Sequence, residues 1–545
     1  MQSPEKSILI SLATLNEELN IKSLVEEIHS LHPNATILVV DGASTDKTVT
    51  NLRNLQKEIK SLKVIQQSRR LGLSSAHLVA FNFAIENNFQ FLVTMDADWS
   101  HHPKFINNML TAAEDADLVI GSRYCKAGVS DYSGIRNFVS KTANYVLSKI
   151  TNSSLNEFTT SFRVFRVSTL LEIDVGLLYV NGYSFFFKIM TIYLKNKKII
   201  LEVPIHFYDR KNGKSKISKM EIFKSIFTLW RICFKNENLN KYFGANYGRC
   251  RICKSNYRIQ ISVKSRNYVS RDNNLRCTQE NADERPSLVK CNVCGHISSL
   301  EEEWPSSTEN SYHVVEDNEY LEVEFVKRKT FSWVLSYLRK FNKLDSDIFK
   351  SVLEIGSYAG IFLDVLKGEG IPAVGVEPSK WGSNIALEKG HSVNNSRIED
   401  LNFKQLPICS LVVSWDVLEH LENPILVMEN VNSILEKGGL FVFSTLDIDT
   451  WFPKLMGKKW PWYMPMHLHY FDKSTIIQMA SISGFEVLDD RPYRSYASLQ
   501  YACRRFLTAM NIPLRIASII SKFIPKFLVI PFSFGDVRIF ALRKT

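Results

Sequence analysis

The sequence predicts an α/β protein: two doubly wound domains joined by a small Cys-bearing module. Three observations carry this. Strand-like runs alternate with helical stretches over residues 1–235, the same rhythm restarts near Ser351, and two C-x-x-C pairs lie between them. The parse is therefore 1–235, 236–345 and 346–545. A length of 545 residues suits that division. With 45% hydrophobic and 23% charged residues, 23 Gly and 17 Pro, the chain is neither disordered nor collagen-like. Nine Cys over this length exclude a disulfide scaffold and fit a reducing compartment.

Met1-Gln-Ser-Pro-Glu-Lys6 runs directly into strand-like Ile8–Ala13, so no secretory leader is expected. Ile37–Val40 and Phe91–Met95 read as buried strands, with Ile21–Leu31 as a helix between strands. In such sheets ligands gather at the carboxyl ends of the strands. Asp41 ends one of these runs and Asp96-Ala-Asp98 another. Residues two apart on extended chain point to one side, so Asp96 and Asp98 can share a divalent cation, Mg²⁺ or Mn²⁺.

A net charge of +11 favours phosphates, nucleotides or an acidic membrane surface, and nucleic acid is not among the expected partners. No run reaches the ~18 uncharged apolar residues of a membrane span. The nearest, Leu514–Phe534, is broken by Arg515, Lys522, Lys526, Pro525 and Pro531. Ile222, Phe223, Ile226, Phe227, Trp230 and Phe234 form an apolar stripe with Lys224, Arg231 and Lys235 nearby. That stripe suits an interfacial helix, or equally one packed on the domain. The expected location is cytoplasmic, with peripheral contact on the cytoplasmic face of a membrane.

Further along come Gly121-Ser-Arg-Tyr124, then Arg136 with Ser140 and Asn144, then Thr159-Thr-Ser-Phe-Arg163. Glu202-Val-Pro-Ile205, Asp209-Arg210 and Gly213-Lys-Ser-Lys216 follow. Together with "TLNEELNI" and "MDADWSHHPKFI", this series resembles dolichol-phosphate mannose synthases and related polyprenyl-phosphate glycosyltransferases, over residues 7 to about 232. The resemblance implies the GT-A fold, an inverting reaction, a nucleotide-sugar donor and a polyprenyl-phosphate acceptor. It implies that Thr14, Asn16, Glu17 and Asp41 line the nucleotide pocket, and that Asp96 and Asp98 hold the metal and the donor diphosphate. Arg123, Arg136 and Ser140 would hold the acceptor phosphate, with Arg210 and Lys216 closing over the donor. The pattern departs at Gly42 and Ala43, where Asp and Gly are usual, and at Phe186 and Lys188, where Gln and Glu are usual. A phosphate acceptor is already anionic and needs no general base, whereas a hydroxyl acceptor would need one, for which Glu157 is the candidate.

Cys250-Arg-Ile-Cys253 and Cys291-Asn-Val-Cys294 form C-x₂-C…C-x₂-C, which fits a structural Zn²⁺ site of four thiolates. Four reduced buried cysteines are the alternative.

The second α/β section opens with Val352-Leu-Glu-Ile-Gly-Ser-Tyr-Ala-Gly360, a strand, a Gly-bearing turn and a helix start. Its G-x-x-x-G spacing does not meet the dinucleotide fingerprint. Glu377 ends the next strand, where an acid can accept ribose hydroxyl bonds. With Glu399-Asp400, "VVSWDVLEHL" and "LEKGGLFVFS", the section resembles class I methyltransferases dependent on S-adenosylmethionine (SAM), from Ser351 to about Val487. The preceding Cys pairs are similar to those of sugar C-methyltransferases. The resemblance implies that Glu354, Gly356 and Gly360 cradle the methionine end, Glu377 binds the ribose, Glu399 and Asp400 flank the adenine, and Asp416 closes the site. Tyr358 stands where Gly is common. His467 is the expected base and His469 the reserve, with His420 read as structural.

The combined expectation is a bifunctional enzyme of glycan or glycolipid biosynthesis. The alternative is an active glycosyltransferase with a non-catalytic, methyltransferase-like docking module.

Overall fold

The computed structural model describes residues 7–132, 134–172, 184–209, 249–255, 258–262, 286–301, 304, 318–342, 348–457, 460–464, 466–500, 503–504, 514–525 and 527–545. Arg210, Lys216 and the stripe from Ile222 to Phe234 lie outside the described residues, as does the side chain of Arg136. The chain divides into two units, Met1–Ile261 with Val289–Gly295, and Ser262–Leu288 with His296–Thr545.

The first unit runs β1 (Ile8–Thr14), α1 (Ile21–Leu31), β2 (Thr36–Asp41), α2 (Thr48–Glu58), β3 (Leu62–Gln66), α3 (Leu73–Glu86) and β4 (Phe91–Asp96). It continues through α4 (Ile106–Ala112), β5 (Leu118–Ser122), β6 (Val129–Ser130), α5 (Gly134–Ile150), β7 (Arg163–Arg166), α6 (Val167–Leu170), α7 (Ser184–Lys195), β8 (Ile200–Pro204) and β9 (His206–Phe207). Seven strands form one sheet in the order β3-β2-β1-β4-β7-β5-β8. The first four are parallel, while β7 runs antiparallel to both β4 and β5. Helix α1 buries Ile21, Leu24, Val25 and Ile28, the i, i+3, i+4, i+7 stripe that fixes its face against the sheet. Strands β2 and β4 are buried on both faces, as their unbroken apolar runs require.

The register matters for the site. Thr14 pairs with Asp41 and Ala13 with Asp96, so the ends of β1, β2 and β4 share one edge.

The Cys pairs flank two short strands, β10 (Arg258–Ser262) and β11 (Leu288–Cys291). The second knuckle docks on the loop after β3: Gln67 Nε2 donates to Asn292 O at 2.6 Å and Ser68 N to Val293 O at 3.0 Å. Ser68 Oγ adds a bond to Cys294 O and Ser75 Oγ one to Asn292 O.

The second unit contains β12 (Ile297–Ser299), helix Glu324–Asn342, β13 (Val352–Ile355), β14 (Ala373–Val376), β15 (Ser392–Asn394), β16 (Cys409–Trp415), β17 (Leu435–Leu446), β18 (His469–Tyr470), β19 (Phe485–Pro492), β20 (Ser495–Ser498), β21 (Val529–Phe532) and β22 (Val537–Lys544). Its main sheet has the order β15-β14-β13-β16-β17-β22-β19, with β22 antiparallel to both neighbours and the other central pairs parallel. Helix Glu324–Asn342 supplies Phe331, Val334, Leu335 and Leu338 to the core against Ile361, Phe362 and Leu366. Among the described residues no helix is long and apolar enough to cross a membrane.

Candidate active sites at two sheet edges

The first site is built where β1, β2 and β4 end. Asp41 is fully buried and accepts from Thr14 Oγ1 at 3.1 Å and Ser44 N at 2.8 Å. Asn16 takes a left-handed φ of 53°, which turns its side chain onto the facing loop, where Oδ1 accepts from Thr45 N at 2.8 Å. Ser44 Oγ accepts from Asn16 N at 2.7 Å. Glu17 N donates to Thr48 Oγ1, tying this loop to the start of α2. Gly42 N donates to Thr14 O, and a Cβ on Gly42 would lie 3.3 Å from that oxygen. Thr14, Asn16, Glu17 and Asp41 thus belong to one stitched double loop.

Asp96 and Asp98 are each oriented by a hydroxyl: Ser161 Oγ donates to Asp96 at 2.6 Å and Ser100 Oγ to Asp98 at 2.6 Å. Ser100 N also donates to Asp98. Asp96 N donates to His101 Nδ1 at 3.0 Å, so that nitrogen carries the lone pair. Burial holds His101 below the usual imidazole range, and it stacks on Phe162. Sequence reasoning missed Ser100, His101 and Ser161, although the first two lie inside the "DADWSHH" run.

Arg123 has a different setting from the open guanidinium expected of a phosphate ligand. Its Nε and Nη2 donate to Glu157 at 2.7 and 2.9 Å, and Nη2 also reaches Thr159 Oγ1 at 3.0 Å. Phe207 and Tyr124 lie against the guanidinium at 4.9 and 5.0 Å. Glu157 is fully buried; burial pushes its carboxyl up, but the charge and hydrogen bonds of Arg123 outweigh this and hold it below the usual range. A carboxylate so held is a poor proton acceptor, which removes the basis for Glu157 as a general base. Nearby, Tyr124 Oη donates to Ser140 Oγ at 2.8 Å. A cavity of about 440 Å³ opens here between α5 and the loops after β5, lined by Arg123, Lys141, Asn137, Asn144, Tyr145 and Ser148 among others.

Arg163 is buried with its guanidinium spread over the carbonyls of Thr160, Phe186 and Phe158. Burial lowers it to about 9. Phe186 and Lys188 are both buried positions of α7.

The four Cys Sγ atoms lie within 4.8 Å of one another. Cys250 and Cys294 are 3.6 Å apart and Cys253 and Cys291 3.5 Å, too far for a disulfide. Zn–S bonds of about 2.3 Å set tetrahedral edges of roughly 3.8 Å, so the cluster needs little movement to close on an ion. Gly295 at φ 79° and Lys254 at φ 59° reverse the chain after each pair.

The second site lies at the ends of β13, β14, β16 and β17. Ile355 pairs with Val376 and with Ser414, so Gly356, Glu377 and Asp416 all follow the same edge. Gly356 has φ 77°, and a Cβ there would meet Val417 Cγ2 at 2.5 Å. Gly360 has φ 72° and faces Ala386 as closely as 3.0 Å. Tyr358 is held at φ 43°, its ring between Tyr320 and Trp381.

Glu377 accepts from Tyr358 N at 2.8 Å and Ser379 N at 2.7 Å, yet burial still lifts its carboxyl to about 7. Glu354 is buried, and burial followed by the charges of Glu377 and Asp364 pushes it well above the usual range. Among the described residues, its Oε2 and the Oγ of Ser357 are buried with no hydrogen-bond partner. Asp416, at φ 54°, accepts from Ser444 Oγ at 2.6 Å. Glu399 is bound by Arg397 at 2.6 Å and by the backbone N–H of Glu422 at 2.9 Å, and Asp400 is largely exposed.

His467 differs from the poised base expected. Burial and then the neighbouring His420 push it down to about 3, so it stays neutral and binds protons weakly across the working range. His469 is fully buried against His296 at 3.0 Å, in the strand β18 that pairs with β12.

Residues 10–173 match the model of glycosyl transferase family 2. The polyprenol monophosphomannose synthase of Mycolicibacterium smegmatis is 32% identical over 227 residues, 41% of this chain and 86% of that protein. The chain belongs to glycosyl transferase family 2. The undecaprenyl-phosphate mannosyltransferase of Micrococcus luteus is 30% identical over 240 residues, 44% of this chain and 99% of that protein. Beyond the family 2 unit, residues 324–490 match the model of a methyltransferase domain, so the chain joins the two. Solved structures similar to the family 2 unit include glucosyl-3-phosphoglycerate synthase of Mycobacterium tuberculosis, at 19% identity, 42% of this chain, 80% of that one and a TM-score of 0.33. For the second unit they include a SAM-dependent methyltransferase of Thermotoga maritima, at 19% identity, 42% of this chain, 95% of that one and a TM-score of 0.28.

Proposed function

We propose that the first unit transfers a sugar from a nucleoside-diphosphate donor to a polyprenyl phosphate, and that the second transfers a methyl group from SAM. The observation that carries the first half is the shared edge of β1, β2 and β4, with Asp41, Asp96 and Asp98 each oriented by a hydroxyl. The names of the two relatives, a polyprenol monophosphomannose synthase and an undecaprenyl-phosphate mannosyltransferase, support the acceptor class.

The carboxylates of Asp96 and Asp98 fit a hard divalent cation, since both are oxygen ligands already oriented by a hydroxyl at the strand edge. Mg²⁺ or Mn²⁺ held there would supply charge neutralisation for a departing diphosphate. Asn16, Glu17 and the loop after Asp41 bind the nucleotide. The buried Arg123–Glu157 pair, with Thr159, is a positioning element that fixes one wall of the cavity beside α5. Lys141 and Ser140 line the side from which an anionic acceptor enters, and Arg136 lies one turn before Ser140 on α5. Arg210 and Lys216 retain their proposed donor-closing role.

The acceptor is a lipid. Phe138, Val139, Tyr145, Val146 and Ile150 are exposed on α5, with Lys141 and Lys149 on the same helix. Apolar groups beside cations suit an anionic membrane surface.

In the second unit, the orphaned Glu354 Oε2 and Ser357 Oγ fit a polar cationic ligand such as the methionine end of SAM. Gly356 and Gly360 shape the turn, Glu377 meets the ribose, Asp416 borders the site, and Glu399 holds the turn beside the adenine. SAM would supply an electrophilic methyl group, and the chain's part is orientation. The four thiolates fit Zn²⁺ and close the knuckle that docks on the loop after β3.

The test is mass spectrometry of lipid products from the full chain with a panel of nucleotide sugars, with and without SAM. The Asp98→Asn chain is expected to lose sugar transfer by at least about 10²-fold. Equal turnover by that variant would overturn the metal-edge reading.

A further inference from the structure

We propose that Glu419, His420 and His467 form a binding site for one divalent transition-metal ion in the second unit. Each offers one ligand atom, and these atoms lie within 4.8 Å of one another. The sequence places Glu419 and His467 48 positions apart, and the fold brings them together. Glu419 and His420 sit on the single turn Leu418–His420 that follows β16. His467 precedes β18, and Leu468 N donates to Glu419 O at 2.8 Å, which locks the two segments in register.

The surroundings are those of a ligand set. His420 Nδ1 lies 2.9 Å from Met466 O, and His467 Nδ1 lies 2.8 Å from Trp462 O. A carbonyl only accepts, so both imidazoles carry their proton on Nδ1 and present Nε2 in its lone-pair form. Metal-bound histidines are held in this way, with the second ring nitrogen donating to a carbonyl or carboxylate. Thr445 Oγ1 donates to Glu419 Oε2 at 2.9 Å, which orients the carboxylate. The two rings are 4.8 Å apart at 66°, and Glu419 and His467 are buried.

Two imidazole nitrogens and one carboxylate oxygen select a borderline ion, Zn²⁺, Co²⁺ or Mn²⁺, over Ca²⁺. Three protein ligands leave at least one open coordination position. The site lies just beyond Asp416 at the sheet edge, so the open position would take an oxygen of the methyl acceptor. That use, though not the site itself, rests on the methyltransferase reading.

The test is a Co²⁺ titration of the full chain without nucleotide. Ions on the Cys thiolates give intense near-ultraviolet charge-transfer bands, whereas a nitrogen and oxygen site gives only weak visible bands. One equivalent of the second kind is expected, persisting in the Asp96→Asn chain and weakened more than about 100-fold in Glu419→Gln and His467→Ala. SAM binding is measured by calorimetry on the same samples, and near-ultraviolet circular dichroism checks the fold of each variant. An unsubstituted chain that binds SAM but shows no such equivalent overturns the metal site and leaves the methyltransferase reading intact. The equivalent present without SAM binding supports the site and sinks that reading. Retention of the equivalent by both folded variants would also overturn the assignment.

Discussion

The two units bury carboxylates in opposite ways. In the first, Glu157 is fully buried against a guanidinium that also touches Thr159 and the rings of Tyr124, Tyr132 and Phe207, so its charge is answered inside the chain. In the second, Glu354 and Glu377 are buried with no ion-pair partner among the described residues, and burial lifts both. A buried acid without a cation is costly unless it protonates or a ligand supplies the charge. The first arrangement reads as scaffold and the second as a site that awaits a cationic ligand.

Breaking the scaffold pair should have the largest effect. Arg123→Ala leaves Glu157 charged and buried, which costs about 3–5 kcal/mol. Replacing both partners, Arg123→Met with Glu157→Leu, should cost clearly less, because no orphaned charge remains. Denaturant unfolding of the four chains of this cycle checks it. Equal losses in the single and double variants would show that packing, not charge, dominates there.

The second unit sharpens the contrast through pH. Glu377 sits at about 7 when folded against a usual 4.5. A raised folded value contributes stability below 4.5 that is lost as pH rises through about 7. From pH 5 to 8 Glu377 should therefore cost the SAM-free chain up to about 3 kcal/mol relative to a Glu377→Gln chain, a difference in which the opposite contribution of His467, pushed down to about 3, cancels. With SAM bound the loss should shrink, and Glu354→Gln should weaken SAM by roughly 10- to 100-fold while raising the ligand-free midpoint at pH 8. Thermal unfolding and calorimetry over that range read both. A ligand-free midpoint that rises with pH relative to that of the Glu377→Gln chain would contradict the sign.

How much of this was visible in the amino acids follows from what each feature depends on. The acidic edge was legible, because a buried parallel strand is a continuous apolar run and the first charged residue after it marks its end. Asp41, Asp96 and Glu377 all announce themselves in this way. The pairing of Arg123 with Glu157 was not, since 34 residues separate them and nothing local says that a loop folds back. Nor was the docking of the second Cys knuckle on Gln67 and Ser75, more than 200 residues upstream. Two C-x-x-C pairs point to four thiols that meet, but not to the surface that they lie against. His467 was chosen for its chemistry in water. Burial changes that chemistry, and burial is a property of the fold.

The smallest effect concerns α5, where the first unit leaves apolar surface in water. Phe138 is 71% and Tyr145 64% exposed, one heptad apart on one face, with Val139 and Val146 repeating the spacing beside them. A helix that only supported the cavity would turn these residues inward, as α1 does with Ile21, Leu24, Val25 and Ile28. Each large side chain inserted at a bilayer interface contributes on the order of 1 kcal/mol. Phe138→Ser with Val139→Ser, two exposed residues outside the cavity lining, should therefore weaken binding to anionic liposomes by roughly 10-fold. Turnover on a short, water-soluble polyprenyl phosphate should stay near the unsubstituted level, because neither side chain carries the charge that meets the phosphate. Sedimentation with vesicles and parallel assays on long- and short-chain acceptors separate the two effects. Equal loss on both acceptors would place these residues in the cavity wall and not at the membrane.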